Sequence, residues 1–372
     1  MYMAFLPALL PLLVTRLGLT LVSAGLLASV VSLTSQLSQP VFGHLSDRLG
    51  PRPLVILGPL VTTLSMSCLG LVSSYGALLA VAILGSLGTA AIHPAAAALV
   101  GRIARAGGGA AMAIFTAGGN IGFGLGPPLV IAVVNAFDLR ASWLTAAVGL
   151  AVVLYVARSL GRNTAGRDGG ALAPLGPTRP WLAALAVLYL VVMLRAAAAA
   201  AFTTFVPMLI ERRGAALMLG GWALLGFSLA GAVGGLVGGP LSDRVGRKWV
   251  TVTSLALSGP AFYGFLHADG LASAALLLAT GACLFAALPV NIVSGQELLP
   301  GRASTVSGVV MGFAWGIGGL SATVVGAFAD RLTVALGPAP ALARALSLAA
   351  AIPIAAAAIA LALPETRRRA HP

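Results

Sequence analysis

The segment GHLSDRLGPR at 43–52 returns 196 residues later as GPLSDRVGRK at 239–248. Each copy lies between long apolar runs and gathers an acid, bases and two glycines: Gly43, Asp47, Arg48, Gly50 and Arg52, then Gly239, Asp243, Arg244, Gly246 and Arg247. Charge at that density cannot sit in hydrocarbon. The spacing therefore predicts a tight charged turn at a membrane face, with glycine allowing close backbone approach and the acid placed to cap or bridge helix ends. Two such turns at corresponding places in two apolar halves point to a duplicated helical membrane bundle.

The rest of the chain fits a polytopic membrane protein. Of its 372 residues 59% are hydrophobic and only 8% charged, against the roughly 25% charge of soluble domains. A net charge of +13 would suit a nucleic-acid partner, but the basic residues stand singly between apolar runs, without a basic stripe or an aromatic stacking platform, which argues against that class. Cys68 and Cys283 fall in apolar runs of different halves, so no disulfide framework is expected.

The opening apolar stretch, 2–14, is interrupted by Pro7 and Pro11 and covers only about 20 Å of a hydrocarbon core near 30 Å. With no basic segment before it and no small-residue cleavage pattern after it, it reads as a first span lacking its beginning rather than a signal peptide. Runs long enough to cross follow at 20–42, 53–73, 76–100, 109–136 and 141–158, then at 181–210, 215–238, 249–267, 271–294, 304–329 and 341–363. The Gly/Pro-rich, basic stretch between them reads as a linker. The expectation is an all-α membrane protein of twelve spans, the first one short: a six-helix bundle at 1–158, a cytoplasmic linker at 159–179, a second bundle at 180–364 and a basic tail at 365–372. Fifteen of the 22 lysines and arginines fall on the side shared by both termini, six on the other, and Arg195 inside a span. Because basic residues are retained inside, both termini are expected in the cytoplasm, with the protein in the cell (inner) membrane. The repeat continues in GRIARAGGGAAMAIFTAGGNIG at 101–122 and GRASTVSGVVMGFAWGIGGLS at 301–321, and Pro94 and Pro289 kink corresponding spans.

Arg195 is the sharpest single feature, a residue that cannot lose its proton placed near the middle of the seventh run. It must face a water-filled cavity, an anion or an acid partner, either as a substrate site or as a packing ion pair. His93, directly before Pro94, is a candidate proton carrier, or else an inert hydrogen-bonded side chain. In TAGGNIGFGLGPPL, Asn120 lies one turn after Thr116 on the same face, and Gly118, Gly122 and Gly126 recur at the spacing that lets helices approach closely. Asn120 and Asn291 each read as a cavity donor or an interhelical hydrogen bond, and Trp315 with Phe313 as an aromatic wall. No nucleophile with a base, and no carboxylate cluster, supports a polytopic membrane enzyme. No cofactor or metal is called for. The partners expected are a small-molecule substrate, protons as coupling ion and the lipid bilayer, with a monomer as the assembly.

The charged repeat resembles the signature loop of the major facilitator superfamily, through Gly43, Leu45, Asp47, Arg48, Gly50 and Arg52 and again through Gly239, Leu241, Asp243, Arg244, Gly246, Arg247 and Lys248. Gly122, Gly126 and Pro127 are similar to the core of the motif of its proton-coupled antiporters, without the trailing glycine pair. Ile92-His93-Pro94, Gly118-Gly119-Asn120-Ile121-Gly122, Arg195 with Phe205-Val206-Pro207, and Gln296-Glu297-Leu298-Leu299-Pro300 resemble the fosmidomycin-resistance-type exporters. The resemblance implies proton-driven efflux of a small anionic or amphipathic drug-like compound. Two departures stand out: Ala95 and Ala96 follow the His-Pro pair where relatives tend to carry an acid, and no acid opens the first span. The residues leave open an importer or uniporter of an organic anion or sugar phosphate.

Overall fold

The computed structural model describes residues 1–103, 108–160, 180–298, 312 and 314–366. Residues 161–179 of the expected linker and 367–372 of the expected basic tail, Phe313 and the side chains of Asp47 and Thr116 lie outside the described part. Every regular element among the described residues is helical: α1 (Phe5–Leu17), α2 (Leu21–Leu49), α3 (Pro51–Ser67), α4 (Tyr75–Ile103), α5 (Gly108–Ala136), α6 (Ala146–Ser159), α7 (Pro180–Arg212), α8 (Leu217–Val245), α9 (Arg247–His267), α10 (Gly270–Leu298), α11 (Ala314–Gly318), α12 (Ser321–Leu336), α13 (Pro338–Ala349) and α14 (Ile352–Ala360). Ten stretches among the described residues are long and apolar enough to cross a membrane; α1 is too short for that test, and the less apolar α9 lies outside it.

Duplication is visible in the backbone itself. α2 and α8 are both 29 residues long and begin 196 positions apart; α4 and α10 are also 29 residues each, with Pro94 and Pro289 inside them. The breaks repeat too. Gly18 and Gly214, then Gly50 and Gly246, take positive φ at matching places, a conformation that glycine alone adopts without penalty.

The charged repeat is therefore not a loop, as its composition suggested. α2 runs through Asp47 and Arg48 to Leu49, and α8 through Asp243 and Arg244 to Val245; only Gly50 and Gly246 end them. A 29-residue helix is about 43 Å long, well beyond a hydrocarbon core near 30 Å, so its last turns stand in the interface as helix.

Small residues set the packing. Cβ atoms at Gly58 and Gly88 would run into the facing helix of the α3–α4 pair, and those at Gly234 and Gly238 into the Ala282 and Ala286 backbone of α10; such positions let backbones touch where lipid supplies no hydrophobic drive. The halves meet along α2 against α11 and α12, and along α5 against α8. On the first seam Gly25 faces the Ala322 and Thr323 backbone, and Ser29 Oγ donates to Gly319 O (2.9 Å). Lower on it, Ser32 Oγ donates to Trp315 O (3.2 Å). On the second, Gly124 packs on Leu225 and Ser228, and Gly221 on Ile131. These contacts occupy the halves of the helices away from the charged repeats. Toward the repeats, Gly118, Gly119 and Gly239 meet nothing within 4 Å among the described residues, and Leu37 and Val41 are exposed. The close packing expected of Gly118, Gly122 and Gly126 thus holds at Gly126, against Met1 and Ala4, and not at Gly118.

Candidate functional site

Arg195 is reached through the alanines that follow it in α7, residues 196–201. Their small side chains admit α11 at van der Waals contact: a Cβ on Gly318 would lie 2.7 Å from Ala196 Cβ, and Ser321 Oγ donates to Ala197 O (2.7 Å). Docked there, α11 carries Trp315 one turn earlier over the guanidinium, with Arg195 Cζ 4.9 Å from the indole ring. From α10, Phe285 approaches the same group at 5.9 Å. Phe285 is seated against Gly231, where a Cβ would lie 2.9 Å from its ring, and meets Phe227 edge to face at 5.6 Å.

The guanidinium has no solvent exposure, and Nε, Nη1 and Nη2 have no hydrogen-bond partner among the described residues. The sequence led us to expect water, an anion or an acid beside it; the structure encloses it between aromatic rings instead. Magnitudes show how unusual that is. Burying an ion costs several kcal/mol even after relaxation, whereas a desolvated cation–π contact returns roughly 2 kcal/mol, and the Phe285 contact is at the limit of range. The indole Nε1–H of Trp315 is also buried without an acceptor among the described residues. Every buried, unpartnered side-chain atom among the described residues is in fact an N–H donor, on Arg52, Arg195, Asn291 and Trp315, and two of these side chains stack on each other. Guanidinium and indole N–H groups only donate, and the partners that suit them are acceptor oxygens, anionic ones best.

His93 is exposed, nine residues from the exposed Leu84 and so on the opposite face of α4. Its Nδ1 lies 2.8 Å from Thr89 O. A carbonyl only accepts, so Nδ1 is the donor in this contact. Asn120, half-buried on α5, sits beside the open positions Gly118 and Gly119. Asn291 is not brought to this surface: it is fully enclosed, and its Oδ1 accepts from Thr251 Oγ1 (2.9 Å) across the α9–α10 contact.

The profile of the Major Facilitator Superfamily matches residues 1–323. The chain belongs to that superfamily. It is 32% identical over 346 residues to the fosmidomycin resistance protein of Escherichia coli K12, covering 88% of this chain and 83% of that one. An uncharacterized MFS-type transporter, YfnC of Bacillus subtilis 168, is 29% identical over 341 residues, covering 88% and 82%. The crystal structure of a bacterial homolog of the human lysosomal transporter Spinster, in an inward-facing and occupied conformation, superposes with a TM-score of 0.80 at 14% identity, over 97% of this chain and 93% of that one. The chain is accordingly a multi-pass membrane transporter of the major facilitator fold.

The two copies of the superfamily's charged motif differ in what holds them. In the second, Arg247 pairs with Asp243 (2.6 Å) and with Glu297 of α10 (3.2 Å), and donates to Ser242 Oγ. Burial works against the Arg247 charge, but the Glu297 and Asp243 carboxylates outweigh it and hold the guanidinium more firmly protonated than usual. Glu365 accepts the backbone N–H of Arg247 (2.8 Å) and Lys248 (3.3 Å), the first amides of α9, and Thr366 Oγ1 donates to Glu297 (2.7 Å). This network stays inside the second half. In the first copy, Arg52 reaches Ala157 O at 3.5 Å, Arg48 is exposed, and Gly43 lies near Pro94 of α4. Sequence reasoning missed Phe285, since no pattern in α10 marks one apolar ring as facing a charge from α7.

Proposed function

We propose that this transporter exports a small organic anion in exchange for protons by alternating access, with the Arg195 guanidinium and the Trp315 indole N–H as the seat of the anionic group. The observation that carries this reading is a fully enclosed arginine whose donors meet no acceptor among the described residues. An arginine at that depth costs more than its aromatic contacts return, and intramembrane charges persist where they serve a pathway. Phe285 completes the aromatic wall, and Asn120 adds a donor on the open stretch of α5. Asn291 acts chiefly through its bond to Thr251, holding α9 on α10. His93, exposed and held through Nδ1 on Thr89 O, is the proton carrier, and the second charged motif is a clamp within its own half.

The orientation follows from charge: the face with the charged motifs is cytoplasmic, as are both termini, in the inner membrane. The geometry then corresponds to the inward-facing end of the cycle, closed along α2–α12 and α5–α8 on the outer side. Counting α1 and α9 as spans completes six and six, in bundles at 1–158 and 180–364 joined by the 159–179 linker, and the unit acts as a monomer.

Purified protein in proteoliposomes tests the coupling. Fosmidomycin, the compound named for the relative, is the first solute to try, alongside a panel of organic anions. Uptake should accelerate several-fold when the pH gradient is imposed so that protons leave as solute enters, and reverse with the gradient. Rates indifferent to the gradient would establish uniport instead, and acceleration by a co-directed gradient would establish import.

A further inference from the structure

Asp330 lies at the far end of α12 from Trp315, and neither the charged motifs nor the aromatic site involves it. Its carboxylate crosses between the halves. Oδ1 accepts the backbone N–H of Leu21 at 3.1 Å and Oδ2 that of Val22 at 2.8 Å. These are the first two amides of α2, and the third, of Ser23, is capped by Thr20 Oγ1 at 3.1 Å. The start of a helix leaves its N–H groups without intrahelical partners and carries the positive end of the dipole, so a bidentate carboxylate satisfies two donors and a partial charge together. Arg212, at the end of α7, adds its positive field. Around this point the halves meet backbone to backbone, with Gly326 against the Leu21 backbone and Gly25 against Ala322.

We infer that Asp330 is the latch of the gate between α2 and α12 on the face away from the charged motifs, holding that gate shut through the amide end of the opposing helix. The contact differs in kind from the rest of the seam. Serine bonds and glycine contacts there are neutral and short-ranged, whereas the carboxylate on the helix end is charge-assisted, and it must be broken along with the Ser29 bonds when α2 and α12 part. Ser32 Oγ grips Trp315 O lower on the same seam, so the latch and the Arg195 site lie on one continuous stretch of chain. Opening toward that face releases the carboxylate to water and leaves Leu21 and Val22 to be solvated.

The test is a distance measurement that does not depend on what is transported. Spin labels are placed on cysteines at the exposed positions Ser73 and Val334, with Cys68 and Cys283 replaced by serine, and the protein is studied in lipid nanodiscs by pulsed electron paramagnetic resonance. Asp330→Asn keeps the shape but sets an N–H against an N–H; it should raise the ratio of long to short distances on the order of tenfold, the equivalent of losing one charge-assisted bond. Asp330→Ser must move the ratio in the same direction. Thr20→Ala removes a cap from the same helix end without touching the tether, and should leave the ratio unchanged. A distribution in Asp330→Asn and Asp330→Ser that matches the parent overturns the latch, as does an equal opening in Thr20→Ala, which would assign the effect to fraying of α2.

Discussion

Replacing Gly25 by alanine adds one methyl group and, on this structure, should act on one conformation of the transporter only. A Cβ at Gly25 would lie 2.7 Å from Ala322 C and 2.8 Å from the Thr323 Cα, where carbon atoms prefer about 3.5–4.0 Å. Those neighbours are backbone, so no rotamer change relieves the clash, and α2 and α12 must separate by the better part of an ångström. Over-packing of this kind costs about 1–3 kcal/mol. Alanine also favours the helix over glycine by roughly 0.5–1 kcal/mol, but α2 is helical whether the gate is open or shut, so that gain cancels from the ratio. The closed state should lose a factor of about 5 to 150 relative to the open one. Ser29, fully buried under the same seam, reports it: in a Ser29→Cys background lacking Cys68 and Cys283, Gly25→Ala should raise the alkylation rate by an impermeant maleimide by that factor, from the face away from the charged motifs alone. Gly118→Ala is the control, because no described residue lies within 4 Å of its Cβ. An unchanged Ser29→Cys rate in Gly25→Ala, or an equal rise in Gly118→Ala, would refute the assignment of this seam as a closed gate.

Other consequences follow from the same contacts. Gly246→Ala should lower thermal stability more than Gly50→Ala: both have positive φ, but only at Gly246 does the new Cβ approach Glu365, 3.0 Å from its carboxyl carbon, and push it off the first amides of α9. A difference of about 1–2 kcal/mol is expected by thermal melting in detergent, on the scale of a lost cap. Trp315→Phe keeps a ring over Arg195 but removes the indole N–H, so anion affinity should fall roughly five- to tenfold, the worth of one hydrogen bond, while Trp315→Leu, which also loses the cation–π contact, should fall further in the same binding assay. His93→Gln retains hydrogen bonding without a titratable ring; counterflow at equal pH should survive within about twofold, while stimulation by a pH gradient should disappear.

Much of this architecture could be read before any coordinates. The 196-residue offset between the charged motifs reappears as equal helix lengths and matching positive-φ glycines. What misled was the end of each span: charge marks where a chain leaves hydrocarbon, not where its helix stops, so Asp47 and Asp243 fell on helices and only glycine terminated them. Arg195 stood out because a fixed charge inside an apolar run has few explanations. Its surroundings did not, since Phe285 and Trp315 come from spans about 90 and 120 residues further along, and which face of α10 turns inward depends on packing at Gly231 and Gly234. Asn291 was ambiguous for the same reason; a rotation of α10 decides between a cavity and Thr251. Asp330 gave no signal, as an acid beside Arg331 near a helix end looks like any solvated pair until the start of α2 is placed against it.

The most direct measurement is anion binding to the purified transporter, followed through Trp315 fluorescence and calorimetry, in the parent protein and in Arg195→Lys and Arg195→Gln. If the guanidinium seats the anion, the parent binds, the lysine variant retains a weakened site because a point charge replaces the planar fork, and the glutamine variant loses affinity by on the order of a hundredfold or more while remaining folded. Undiminished binding in folded Arg195→Gln would contradict the account.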